Sequence, residues 1–68
     1  MSAFGEALGR ELARRSLSQN EAAKLTGISQ SMLSSFVTGS RTPQYITMVK
    51  LIRVFPRLAW AMIEEFLP

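Results

Sequence analysis

The chain contains no cysteine, no histidine and no aspartate. Without cysteine no disulfide can form, and without thiolate or imidazole the common zinc and transition-metal ligand sets cannot be assembled. Its acidic residues are five glutamates with no paired arrangement, so neither a nucleophile–base pair nor a carboxylate dyad is in place. An enzyme is therefore not expected, nor a cofactor, a metal or a small-molecule ligand. Long apolar runs are also missing. Nothing approaches the ~18 residues that a membrane span needs, and no membrane association is expected. Met1 to Leu8 lacks a basic start, and Glu6 interrupts its apolar residues, so it does not read as a signal peptide. A cytoplasmic location follows as the expectation. No segment alternates as a strand does, and there is no repeat or low-complexity tract.

What remains is helical. The 68 residues are expected to form one domain, 1–68, near the lower size at which a chain buries a sufficient core alone. The net charge is +3, but its distribution says more. All eight cations lie between Arg10 and Arg57, opposed there only by Glu11 and Glu21, while Glu64 and Glu65 sit apart near the C-terminus. A basic body suits a polyanion, most often nucleic acid. Charge serving only solubility fits the composition equally well.

Five helices are predicted. The first runs from a Ser2 cap to about Arg15, with Phe4, Leu8 and Leu12 as its apolar stripe. The second opens with Ser18-Gln19-Asn20-Glu21, a capping box flanked by Leu17 and Ala22 in the positions of a hydrophobic staple. It ends near Leu25, ahead of Thr26-Gly27, where glycine allows positive φ. Ser29 caps a third helix, Gln30 to about Thr38, which ends at Gly39. After the polar loop Ser40-Arg41-Thr42-Pro43, a fourth helix spans about Gln44 to Val54 and carries Tyr45, Met48, Leu51, Ile52 and Phe55 inward. Pro56 stops it and opens a fifth helix, 57–67.

The second and third helices, about 18–38, meet the requirements of a helix-turn-helix. Taking Gln19 as the first position, the fifth must be small where the helices touch, and it is Ala23. The ninth must turn sharply, and it is Gly27. Ile28, Leu33 and Phe36 hold the second helix of the pair against the body. With the capping box in register, Leu17-Ser18-Gln19, Glu21, Ala23, Gly27, Gly39, Pro43 and the apolar helix Tyr45 to Phe55 resemble the lambda-repressor-like and Cro-like helix-turn-helix family. The resemblance covers roughly Leu12 to Phe55. It implies an all-α, compact five-helix domain and binding to double-stranded DNA, with the third helix in the major groove. The core is expected to join Ala23, Ile28, Leu33, Phe36, Leu51 and Phe55.

Two departures from the family pattern stand out, one at a pair of positions and one at a single residue. Members often carry an arginine at the place of Leu12, paired with a glutamate at the place of Val37; here both are apolar and are expected to touch. Joint replacement of a buried ion pair by hydrophobic residues is often neutral or stabilising. Phe36 is bulkier than the usual aliphatic residue.

The face of the third helix opposite Leu33 and Phe36 presents Gln30, Ser31, Ser34 and Ser35 as the expected base contacts. Glutamine can bond adenine bidentately, while serine discriminates weakly. Met32, partly exposed by the same count, can meet a thymine methyl. Ordinary solvated residues are the competing reading of this polar face. Phosphate contacts are expected from Gln19, at a helix N-terminus, and by resemblance from the loop residues Thr38, Ser40, Arg41 and Thr42. Arg10, Arg14, Arg15 and Lys24 read more readily as solvated surface.

The fifth helix is apolar over about 200° of its circumference, wider than a surface helix needs. Leu58, Met62 and Phe66 are expected to fill the core, which leaves Trp60, Ile63 and Leu67 facing outward as a homodimer interface. The expected function is a sequence-specific transcriptional regulator, a repressor of the compact phage or mobile-element kind that binds a roughly palindromic operator as a dimer. The alternative is a protein-interaction module that has the fold but has lost specific DNA binding.

Overall fold

The computed structural model describes residues 3–66, with side chains through Glu64. Five helices follow one another, with no strand among the described residues: α1 (Ala3–Arg14), α2 (Gln19–Thr26), α3 (Gln30–Thr38), α4 (Tyr45–Val54) and α5 (Leu58–Phe66). The expected cap Ser2 lies outside the described residues, as does Leu67.

Helices this short do not persist in isolation, so tertiary burial must hold them. α1 packs against both α3 and α5, α2 against α3 and α4, and α4 against α5. Phe4, Leu8 and Leu12 of α1 are buried as the stripe predicts, meeting Leu33, Phe36, Leu51, Phe55 and Leu58 in one cluster. Each such side chain contributes about 1.5–3 kcal/mol on leaving water. Ile28 belongs to the same core. Ala23 lies on its border, and the fully buried small residue of α2 is its neighbour Ala22. Val37 is half-buried against α1: its Cγ1 is 3.6 Å from the place a Cβ on Gly9 would take.

The helix ends follow local chemistry. α1 closes on Ser16, whose φ of 55° is the only positive value among the described non-glycine residues. There the Ser16 N–H donates to the Ala13 carbonyl (3.1 Å) and the Leu17 N–H to the Leu12 carbonyl (2.9 Å), a Schellman closure on a serine instead of the usual glycine. Gly27 (φ 75°) and Gly39 (φ 83°) end α2 and α3 in the left-handed region, as the glycine signals predict. Pro56 follows the end of α4, and α5 then starts tightly, with the Leu58 N–H donating to Phe55 and the Ala59 N–H to Pro56.

One inward assignment is overturned. Tyr45 is 81% exposed, and Ile46 beside it is 68% exposed. Tyr45 is the first residue of α4, and helical side chains lean toward the N-terminus. Its ring therefore projects past the helix end, while Met48, Leu51 and Phe55 carry the stripe inward and Ile52 lies at its edge. On α5, Leu58 is buried and Met62 is half-buried. Phe66 is among the residues whose side chains are not described.

Glu11 was not expected inside, yet it is buried. Arg14 holds it through two hydrogen bonds, Nη2 to Oε1 at 2.8 Å and Nε to Oε2 at 3.0 Å. That bonding keeps the Glu11 carboxyl below its ordinary range against the opposing effect of burial, with Arg57 and Arg15 adding attraction. Arg15 also lies 4.8 Å over the centre of the Phe55 ring, so its charge covers a core aromatic.

Candidate nucleic-acid interface

The turn between α2 and α3 is fixed by side-chain oxygen. At the start of α2 the capping box is complete: the Glu21 N–H donates to the Ser18 hydroxyl (3.1 Å), and the Ser18 N–H donates to the Glu21 carboxylate (2.9 Å). The Ser18 N–H, and after it the Ser18 hydroxyl, hold the Glu21 carboxyl below its ordinary value. At the far end the buried Thr26 hydroxyl donates to the Ala22 carbonyl (2.8 Å) and accepts from the Ile28 N–H (3.2 Å). Ser29 then caps α3, accepting from the Met32 N–H at 3.1 Å. Both helices are thus started by serine and joined through Gly27, which presents α3 at one angle.

α3 divides cleanly. Leu33 and Phe36 are buried, while Gln30 and Ser31 in its first turn are exposed and Ser34 and Ser35 are half-buried. No carboxylate lies in that first turn, so the positive end of the helix dipole is uncompensated where Gln30 stands. Met32 is half-buried against the core, less available than its wheel position suggested.

The loop after α3 is tied back to one atom. The Ser35 carbonyl accepts from the Arg41 N–H (3.2 Å), the Thr38 hydroxyl (3.2 Å) and the Ser40 hydroxyl (3.3 Å). The Ser35 hydroxyl itself donates to the Ser31 carbonyl at 3.1 Å. Thr38 and Ser40 are exposed, and their hydroxyls are engaged with the Ser35 carbonyl, so either must give up that bond to donate to a phosphate. Arg41 and Thr42 are exposed. One guanidinium nitrogen of Arg41 lies 3.5 Å from the Met32 sulfur, and most of its remaining donors are open. A cleft of about 250 Å³ separates Met32 and Phe36 from the stretch Arg41–Gln44, with Thr47 behind it. Gln44, the N-cap residue just before α4, makes no side-chain capping bond and lines this cleft together with Arg41.

Gln19, the first residue of α2, is half-buried, with the Glu21 carboxylate close by in the same turn. The structure thus gathers Arg41, Thr42, Thr38 and Ser40 around the end of α3, while Gln19 stands at the start of α2. Trp60 and Ile63 are outward on α5, 73% and 44% exposed. The Ser35 carbonyl and the Arg41–Met32 contact were not foreseen, because neither a backbone acceptor nor a thioether leaves a mark in residue spacing.

A helix-turn-helix family model of the Cro/C1 type matches residues 8–59, from the middle of α1 to the start of α5. No curated protein and no solved structure matches the chain.

Proposed function

The chain belongs to the Cro/C1-type helix-turn-helix family of DNA-binding regulators, and from that premise we propose that it is a repressor which reads a roughly palindromic operator as a dimer. The observation that carries this reading is the division of α3. Its inner face is sealed by Leu33 and Phe36, and its first turn offers Gln30 and Ser31 to solvent with no opposing carboxylate. Gln30 meets an adenine edge through N6 and N7, with Ser31, Ser34 and Ser35 as weaker readers along the groove. Arg41 contacts a phosphate, Thr42, Thr38 and Ser40 flank it, and Gln19 holds a second phosphate at the start of α2.

Two copies per site follow from the geometry of a two-fold operator. Successive major-groove faces lie about 34 Å apart, and each copy carries one α3, so reading both takes two copies. Trp60 and Ile63, with Leu67 beyond the described residues, form the dimer contact in this reading.

Base and phosphate roles separate in titrations at several salt concentrations, on a DNA site selected from a random pool. Gln30→Ala is expected to cost ~1–3 kcal/mol on the selected site and to relax one base position. Arg41→Ala weakens all sequences alike and lowers the salt slope by about one charge. Equal losses by both variants on selected and random DNA contradict this division. A wild type showing no salt-dependent DNA binding returns the protein to the interaction-module reading.

A further inference from the structure

We propose that the groove between α1 and α5 is a self-association surface completed by the same groove of a second copy. In it Trp60 of each copy lies on the alanine floor of the other, and Glu6 and Glu64 meet Arg10 and Arg57 across the axis. This deepens the dimer reading above and rests on it for the number of copies, while making no use of the DNA face.

The groove has a volume of about 270 Å³. Small residues make its depth: Ala3 and Ala7 on α1 and Ala61 on α5. Trp60 stands on its rim, 73% exposed, which is unusual for the largest apolar side chain of a small protein. Around the same groove sit Glu6 and Arg10, one turn apart on α1, with Arg57 and Glu64 on the α5 side. Among the described residues the one ion pair is Arg14–Glu11, so these four charges make none.

The pattern selects its occupant. A surface for a polyanion or an anionic membrane carries cations alone, and a merely solvated surface has no use for a largely exposed tryptophan. Two acids and two bases sharing a groove with an exposed tryptophan suit a copy of themselves. A two-fold axis brings a patch against itself, so the patch must hold both signs to avoid placing like charges together. Tryptophan is the side chain most often found at the energetic centre of such contacts.

Complementary charge reversal tests this. One variant, Glu6→Lys with Glu64→Lys, makes the rim wholly basic. A second, Arg10→Glu alone, makes it mostly acidic and leaves Arg57 where it also attracts Glu11. All the changed side chains are exposed, and circular dichroism melts verify folding. In sedimentation over a concentration series the wild type dimerises. Each variant alone should self-associate at least ~10-fold more weakly, and their equimolar mixture should form a one-to-one dimer in which Trp60 fluorescence shifts to the blue. A wild type that stays monomeric, a variant that dimerises like the wild type, or a mixture without heterodimer overturns the proposal. Salt-dependent binding of the wild type to short random DNA, measured in parallel, tests the DNA reading separately, since that contact needs no second copy.

Discussion

Replacing Thr26 with valine removes one oxygen from a closed turn while keeping the shape of the side chain. That oxygen donates to the Ala22 carbonyl at 2.8 Å and accepts from the Ile28 N–H at 3.2 Å, and Thr26 is buried. Ile28 is itself a core residue, so its amide has little access to water once the hydroxyl is gone. Stranding a buried donor costs about 1–3 kcal/mol. In a domain of this size each kcal/mol corresponds to about 4–8 °C in melting temperature, so Thr26→Val should melt roughly 5–20 °C lower. Thr26→Ser provides the control. It keeps the oxygen and loses one buried methyl, worth about 0.8 kcal/mol. Thermal and urea unfolding followed by circular dichroism should therefore rank the wild type first, serine second and valine last. A valine variant as stable as the wild type, or more stable than the serine variant, would show that the Ile28 amide does not depend on this hydroxyl. The turn also sets the angle between α2 and α3. DNA affinity should consequently fall for valine and hold for serine at a temperature where all three are folded.

Two further changes probe α1. Ser16→Gly relieves a left-handed serine at about 1–2 kcal/mol while adding up to about 1 kcal/mol of chain entropy to be lost, so the urea midpoint should rise slightly; a lower midpoint refutes the strain argument. The Glu11 carboxyl is held below its ordinary value of 4.5 in the folded state, so its contribution is present above that value and is lost as pH falls through the lower folded one. Urea midpoints of Glu11→Gln, measured from neutral to acid pH, should fall less steeply below pH 4.5 than those of the wild type, and parallel curves contradict the ion pair's role.

The parts legible in the sequence are those that local chemistry decides. The capping box of Ser18 and Glu21 lies within four residues and needs no tertiary knowledge, and Gly27 and Gly39 mark their turns because few other residues accept that backbone. Ser16 occupies the same conformation without the glycine signature, so the left-handed closure of α1 was hidden although its end near Arg15 was expected. Glu11 was hidden for another reason: its burial depends on Arg14 one turn later and on α1 lying between α3 and α5. Tyr45 misled because the wheel records angle but not height, and a residue at the end of a helix can lie on the inward stripe with nothing above it. The polar face of α3 was visible from periodicity, whereas the three bonds converging on the Ser35 carbonyl arise only once the chain has turned at Gly39.

The ion-pair departure has a mechanical consequence. By resemblance, a charged pair at the places of Leu12 and Val37 would bind α1 to α3 and tie the reading helix to a titratable contact. In this chain Leu12 is in the apolar core, Val37 lies against α1, and the ion pair of α1 is formed within one turn by Glu11 and Arg14. α3 is then held by Leu33 and Phe36 below, by the Ser29 cap at one end and by the Ser35 carbonyl at the other, none of which changes protonation. Acid should weaken α1 through Glu11 without moving the exposed first turn of α3. Glu11→Gln should therefore alter the pH dependence of stability while leaving affinity for a selected DNA site at neutral pH unchanged. A loss of DNA affinity in that variant, with the fold intact, would mean that Glu11 orients α3 through the α1–α3 contact, and that the apolar Leu12 and Val37 are not sufficient to hold it.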